Sequence, residues 1–169
     1  MSAALGGDAL SRVFTASHTS SVVLVCQRDT ANVYRWFHND NSSYGAAMVG
    51  VATSKTIDGQ YTWQGSFKPF GNDSRDMTIW KDPDDGAAYL IFATNGNADF
   101  EIASLTEDYY NVSEALYTFS DVYWEAPGVF KIEGTFYLLY SRQDGWTPTD
   151  DCKFHTAQKA MRMVTDVVR

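Results

Sequence analysis

The chain has 169 residues, of which 15 % are aromatic and only 20 % charged, with a formal net charge of −8. This length suffices for one domain with its own core. The acidic balance argues against nucleic acid as a partner, since phosphate binding needs a basic patch, and no run of about eighteen apolar residues offers a membrane-spanning helix.

Residues 1–20 open with Met1-Ser2-Ala3-Ala4-Leu5-Gly6-Gly7, which lacks the basic stretch and apolar core of a signal peptide. The first strand is expected over Val22 to Cys26. The Asp29-Thr30-Ala31-Asn32 turn then leads into a strand over Val33 to His38 and a further strand over Ala47 to Thr53. The pattern returns as Met77 to Trp80, the turn Asp82-Pro83-Asp84-Asp85-Gly86, Ala88 to Ala93, and Phe100 to Leu105. It returns again as Val129 to Ile132, the turn Glu133-Gly134, and Phe136 to Ser141. Asp, Asn and Gly in these turns tolerate the positive φ values of tight hairpins. Tyr34, Tyr89 and Tyr137 set the register of the copies, at intervals of about 50 residues, close to the roughly 40–50 residues of a β-propeller blade. A β-sandwich with recurring strands is the alternative. Beyond Ala157 the tail has helix-prone composition, with Met161, Val164 and Val168 spaced i, i+3, i+7.

Two acidic residues occupy the same place in successive copies: Asp76 in Ser74-Arg75-Asp76-Met77-Thr78, and Glu125 in Trp124-Glu125-Ala126-Pro127-Gly128. Singly, each reads as a turn aspartate or a solvated strand-edge glutamate. As a pair in repeat register they point to carboxylate chemistry at a shared axis, because first strands of adjacent blades begin there. Arg75 is placed to pair with a nearby carboxylate, or to lie exposed beside the turn. His18, His38 and His155 are scattered and form no metal-ligand pattern, and Cys26 and Cys152 have no zinc-type spacing. Three sequons, Asn41-Ser42-Ser43, Asn72-Asp73-Ser74 and Asn111-Val112-Ser113, fit a glycosylated, secreted parent protein.

Three motifs together resemble glycoside hydrolase family 43, in particular its exo-β-1,3-galactanase group. They are Trp36 to Tyr44 followed by Val49 to Ser54, Ser74 to Asp82 with Ala88 to Ile91, and Glu125-Ala126-Pro127 through Gly145-Trp146-Thr147-Pro148. The resemblance covers residues 21–157, leaving 1–20 and 158–169 without counterpart. It implies an all-β fold, a partial five-bladed β-propeller with about three blades present. It also implies hydrolysis of O-glycosyl bonds with inversion, acting on a polysaccharide or oligosaccharide such as β-1,3-galactan.

In that reading Glu125 is the general acid, whose pKa must be raised to keep it protonated, and Asp76 tunes it and holds the sugar. Tyr44, Asn97 (or Asn95) and Trp146 are the expected substrate contacts, with Trp146 reading equally as a core tryptophan that closes its blade. No cofactor is expected; some members hold an axial Ca²⁺, whose ligands this sequence does not identify. The sequence departs from the group where Ser20-Ser21-Val22-Val23 replaces a Glu-Arg-Pro-Lys stretch, and where Ser141 to Trp146 lacks the group's Cys and Thr. The family's base aspartate and the group's glutamine would fall outside residues 1–169, so weak activity and marginal stability are expected. The alternatives are a non-catalytic carbohydrate-binding β-domain, or arabinofuranosidase or xylosidase activity within the same family.

Overall fold

A computed structural model describes residues 25–28, 32–41, 45–142 and 152–157. Within these the chain is all-β, forming three antiparallel sheets in sequence order. The first comprises β1 (Val25–Arg28), β2 (Val33–Asn39), β3 (Met48–Ser54) and β4 (Thr62–Phe67). The second comprises β5 (Met77–Lys81), β6 (Ala88–Thr94), β7 (Asp99–Leu105) and β8 (Val112–Phe119). The third comprises β9 (Trp124–Ile132), β10 (Thr135–Arg142) and β11 (Cys152–Ala157). In each sheet the earliest strand is an edge, and β5 contacts both β1 and β9. These first strands are therefore neighbours, with the meanders running outward.

The stack is held by the second sheet, whose inner strands β6 and β7 are buried on both faces. Side chains alternate across a strand, so in β6 Leu90 and Phe92 join Tyr34, Trp36, Val49 and Val51 of the first sheet. Tyr89, Ile91 and Ala93 turn the other way, into a cluster with Trp124, Phe136, Leu138 and Tyr140 of the third. That two-sided burial explains why Ala88 to Thr94 is almost wholly apolar rather than alternating. Gly50 is required on the first sheet's outer face, because a Cβ there would stand 2.7 Å from the Phe37 ring.

The turns form as their residues dictate. Asp82 caps the β5–β6 hairpin: its Oδ1 accepts from Asp84 N–H at 2.9 Å and its carbonyl from Gly86 N–H, with Gly86 at φ +76°. Lys131 Nζ of β9 donates to Asp82 Oδ1 at 3.1 Å and also to Asp84, tying the second sheet to the third. Glu133 and Gly134, at φ 48° and 77°, make the two-residue turn joining β9 to β10.

The expected strands all appear, with Val22 to Leu24 lying outside the described residues. Three strands were not anticipated, β4, β8 and β11, the outer edges of their sheets. β4 and β8 are half exposed and irregularly paired, with register shifts at Val51/Ala52, at Ile102/Ala103 and at Ser104/Leu105. β9 also begins at Trp124, five residues before the anticipated Val129.

Candidate active site

Asp76 immediately precedes β5. Its carbonyl accepts from Ala93 N–H at 2.9 Å while Arg75 N–H donates to the Ala93 carbonyl at 2.9 Å, so the β5–β6 ladder fixes its backbone. Its side chain is half-buried and reaches the third sheet, where Oδ2 accepts from Ala126 N–H at 3.0 Å. Ala126 directly follows Glu125.

A bulge makes this contact possible. Glu125 pairs with Ser141 and Gly128 with Leu139, so two residues, Ala126 and Pro127, oppose the single residue Tyr140. Pro127 has no N–H to give the ladder, and Ala126 adopts φ 53°, a left-handed conformation that costs an L-residue about 1–3 kcal/mol. The Asp76 carboxylate is the partner that its re-aimed N–H meets. Trp124 is buried against Phe100 and Phe119 and stacks on Tyr140 with ring centroids 3.8 Å apart. Alternation then sends the half-buried Glu125 to the opposite face.

The β6–β7 turn stands at the same end of the sheets. Asn95, Gly96 and Asn97 all have positive φ (51°, 65° and 72°), which Asn and Gly tolerate best. Asp73 holds them: its Oδ1 accepts from Asn95 N–H at 2.7 Å and Thr94 Oγ1 at 3.2 Å, and its Oδ2 from Gly96 N–H at 3.0 Å. Burial pushes the Asp73 carboxyl upward, but the Gly96 and Asn95 N–H groups, with Thr94 and Arg75, hold it below its ordinary value. The Ala98 carbonyl accepts from Val122 N–H and Tyr123 N–H, which fastens the turn to the segment entering Glu125.

Of the two candidate asparagines, Asn95 spends its amide on Asp99 Oδ2 at 3.0 Å, whereas Asn97 keeps a buried Oδ1 without a hydrogen-bond partner. Arg75 pairs with Asp73 at 3.4 Å, with about a third of its side chain exposed, beside the turn rather than at a buried axis.

Asp40 was missed by sequence reasoning, as was Asp73. At the end of β2, Asp40 is buried with His38, 3.2 Å from its Nε2, and accepts from Asn41 N–H and Ala46 N–H. Burial alone would raise its carboxyl; the N–H groups of Ala47, Asn41 and Ala46, together with His38, hold it low. His38 is thus a buried structural partner, and no group of three metal-ligating side chains occurs among the described residues. No local signal marks the hold of Asp73 on the β6–β7 turn, because its turn partners Thr94, Asn95 and Gly96 lie 21 to 23 residues away. Tyr44 and Trp146 lie outside the described residues. The structure thus brings Asp76, Glu125 and Asn97 to one end of the sheets.

Neither a protein-family profile nor a curated protein sequence matches the chain. Solved structures do. An exo-β-1,3-galactanase from Phanerochaete chrysosporium, in a form solved with β-1,3-galactotriose, is 41 % identical with a TM-score of 0.76, over 82 % of this chain and 32 % of that one. The chain belongs to glycoside hydrolase family 43. An exo-β-1,3-galactanase from Clostridium thermocellum is 32 % identical with a TM-score of 0.75, again over 82 % and 32 % of the two chains. A family 43 β-1,3-galactosidase is 31 % identical with a TM-score of 0.74, over 82 % and 29 %. The chain spans about a third of the length of these relatives.

Proposed function

We propose that this family 43 chain takes part in the inverting, exo-acting hydrolysis of β-1,3-galactan, with Glu125 as general acid and Asp76 as its positioning and tuning partner. The carrying observation is the Asp76 Oδ2 to Ala126 N–H hydrogen bond at 3.0 Å. It fixes the residue adjoining Glu125 and holds a second carboxylate beside it.

Inversion needs a protonated carboxylic acid that delivers its proton to the leaving oxygen while water attacks the opposite sugar face. A neighbouring carboxylate favours the protonated form of the acid by like-charge repulsion. Asn97, in the β6–β7 turn at the same end of the sheets as Asp76, is proposed as a sugar contact. The three sheets are read as successive blades of a five-bladed propeller, which would make the shared end of β5 and β9 its axial mouth. Tyr44 and Trp146 are proposed to complete the sugar site, and the parent protein is proposed to be secreted. The galactanase relatives, one solved with galactotriose and another form of it with galactose, support this substrate class.

The test is Glu125→Gln, assayed for galactose release from β-1,3-galactotriose and for binding of the same sugar. Release lost with binding kept is the expected result. Equal release by both forms overturns the acid assignment. Binding by both with hydrolysis by neither replaces the enzyme with a carbohydrate-binding domain.

A further inference from the structure

We infer that Asn111 is an N-glycosylation site whose first N-acetylhexosamine rests in the groove between the first and second sheets. Asn111 begins the triplet Asn111-Val112-Ser113 and is exposed. It ends the β7–β8 turn, whose backbone is fixed on both sides. Thr106 N–H donates to the Asn111 carbonyl at 2.9 Å, Asn111 N–H donates to Thr106 Oγ1 at 3.1 Å, and Asp108 Oδ1 accepts from Thr106 Oγ1 and Tyr110 N–H.

Beside this turn lies a groove of about 310 Å³, lined among others by Gln64, Gly65, Ser66, Phe67, Tyr110 and Asn111. Its chemistry suits a sugar. Tyr110 is 37 % exposed and offers a ring to C–H groups, and Ser66 lines the groove with a hydroxyl, while the Gln64 amide N–H groups are held by Thr53 Oγ1 at 2.8 Å and the Thr62 carbonyl at 3.3 Å. Gly65, at φ +142°, has no atom within 4 Å of where a Cβ would stand, so the backbone there leaves open space.

Asn111 Oδ1 accepts from Val112 N–H at 2.8 Å, much as Asn41 Oδ1 accepts from Gly45 N–H at 2.9 Å, whereas Ser74 of the Asn72 triplet is fully buried, its neighbour Asp73 holding the β6–β7 turn. The Asn111 turn also lies at the end of the second sheet opposite Asp76, so a glycan there leaves the candidate active site open.

The donor is a lipid-pyrophosphate-linked oligosaccharide. The Asn111 amide nitrogen forms a C–N bond to the anomeric carbon and loses a proton, while the C–O bond to the pyrophosphate breaks.

The test expresses the full chain behind a cleavable leader in eukaryotic secretory cells, trims glycans to one sugar and maps the tryptic peptide spanning residues 82–131. The expected result is one N-acetylhexosamine on Asn111, absent in Asn111→Gln, with slower amide exchange over residues 62–67 in the glycosylated form than in Asn111→Gln. An unmodified Asn111 overturns the site. A modified Asn111 with unchanged exchange over 62–67 overturns the groove as its seat.

Discussion

The Asp76 carboxylate accepts the Ala126 N–H across a separation of 50 residues, and this bond joins the start of β5 to the bulge of β9. Its loss leaves a strained left-handed alanine without its partner. Asp76→Ala is expected to lower unfolding free energy by about 1–2 kcal/mol. Asp76→Asn keeps a side-chain oxygen acceptor and should recover at least half of that loss. Urea unfolding of both variants checks the ranking, and equal losses would contradict it.

Asp73 should act on the mobility of its turn more than on the core. Asp73→Ala removes the acceptor of Asn95 N–H and Gly96 N–H, so hydrogen exchange at those two amides should accelerate by tenfold or more, while that of the buried Leu90 and Phe92 changes little. The pH dependence has a definite sign. The Asp73 carboxyl is lowered on folding, so its contribution is complete above its ordinary value of 3.8 and is lost as pH falls through the lower folded value. Wild type and Asp73→Ala should therefore converge in stability only in strong acid.

Glu101 predicts the opposite trend. It is 5 % exposed on β7, and burial raises its carboxyl, opposed by a hydrogen bond from Thr118 and reinforced by Asp99. A raised folded value means the folded state prefers the protonated form. Its ionisation therefore costs stability as pH rises from the ordinary 4.5 through the folded value. Glu101→Gln should raise the melting temperature at pH 7 and lose that advantage below pH 4.5. Thermal scans across that range measure it, and a gain independent of pH would refute the assignment.

Phe92 is fully buried between the first two sheets, within the cluster of Trp36, Val49 and Met77. Phe92→Ala should cost about 3–5 kcal/mol, the usual range for such a truncation. Phe130→Ala should cost under about 1 kcal/mol, since Phe130 is 36 % exposed and packs only at the surface, stacked on Tyr137. Chemical denaturation of the two variants gives the comparison directly.

Inner strands were legible in the sequence because burial on two faces leaves a continuous apolar run, as from Ala88 to Thr94. β4 and β8 were not, because Thr62-Trp63-Gln64-Gly65-Ser66-Phe67 and its counterpart face solvent and carry bulges that break the period of two. That Asp76 and Glu125 lie at the same end of adjoining strands could be read from the repeat, since equal positions in successive sheets come together where first strands adjoin. The bulge that delivers Ala126 N–H could not, because it depends on a partner 50 residues away. Asp73 was invisible for the same reason: its acceptor role exists only once the β6–β7 turn folds back over it.

The most direct test of the central claim follows the backbone amides of the chain by NMR as β-1,3-galactotriose is added. The account predicts progressive shifts at Ala126, at Asn97 and around Asp76, absent with xylotriose. Shifts confined to other parts of the surface, or the same response to both sugars, would contradict it.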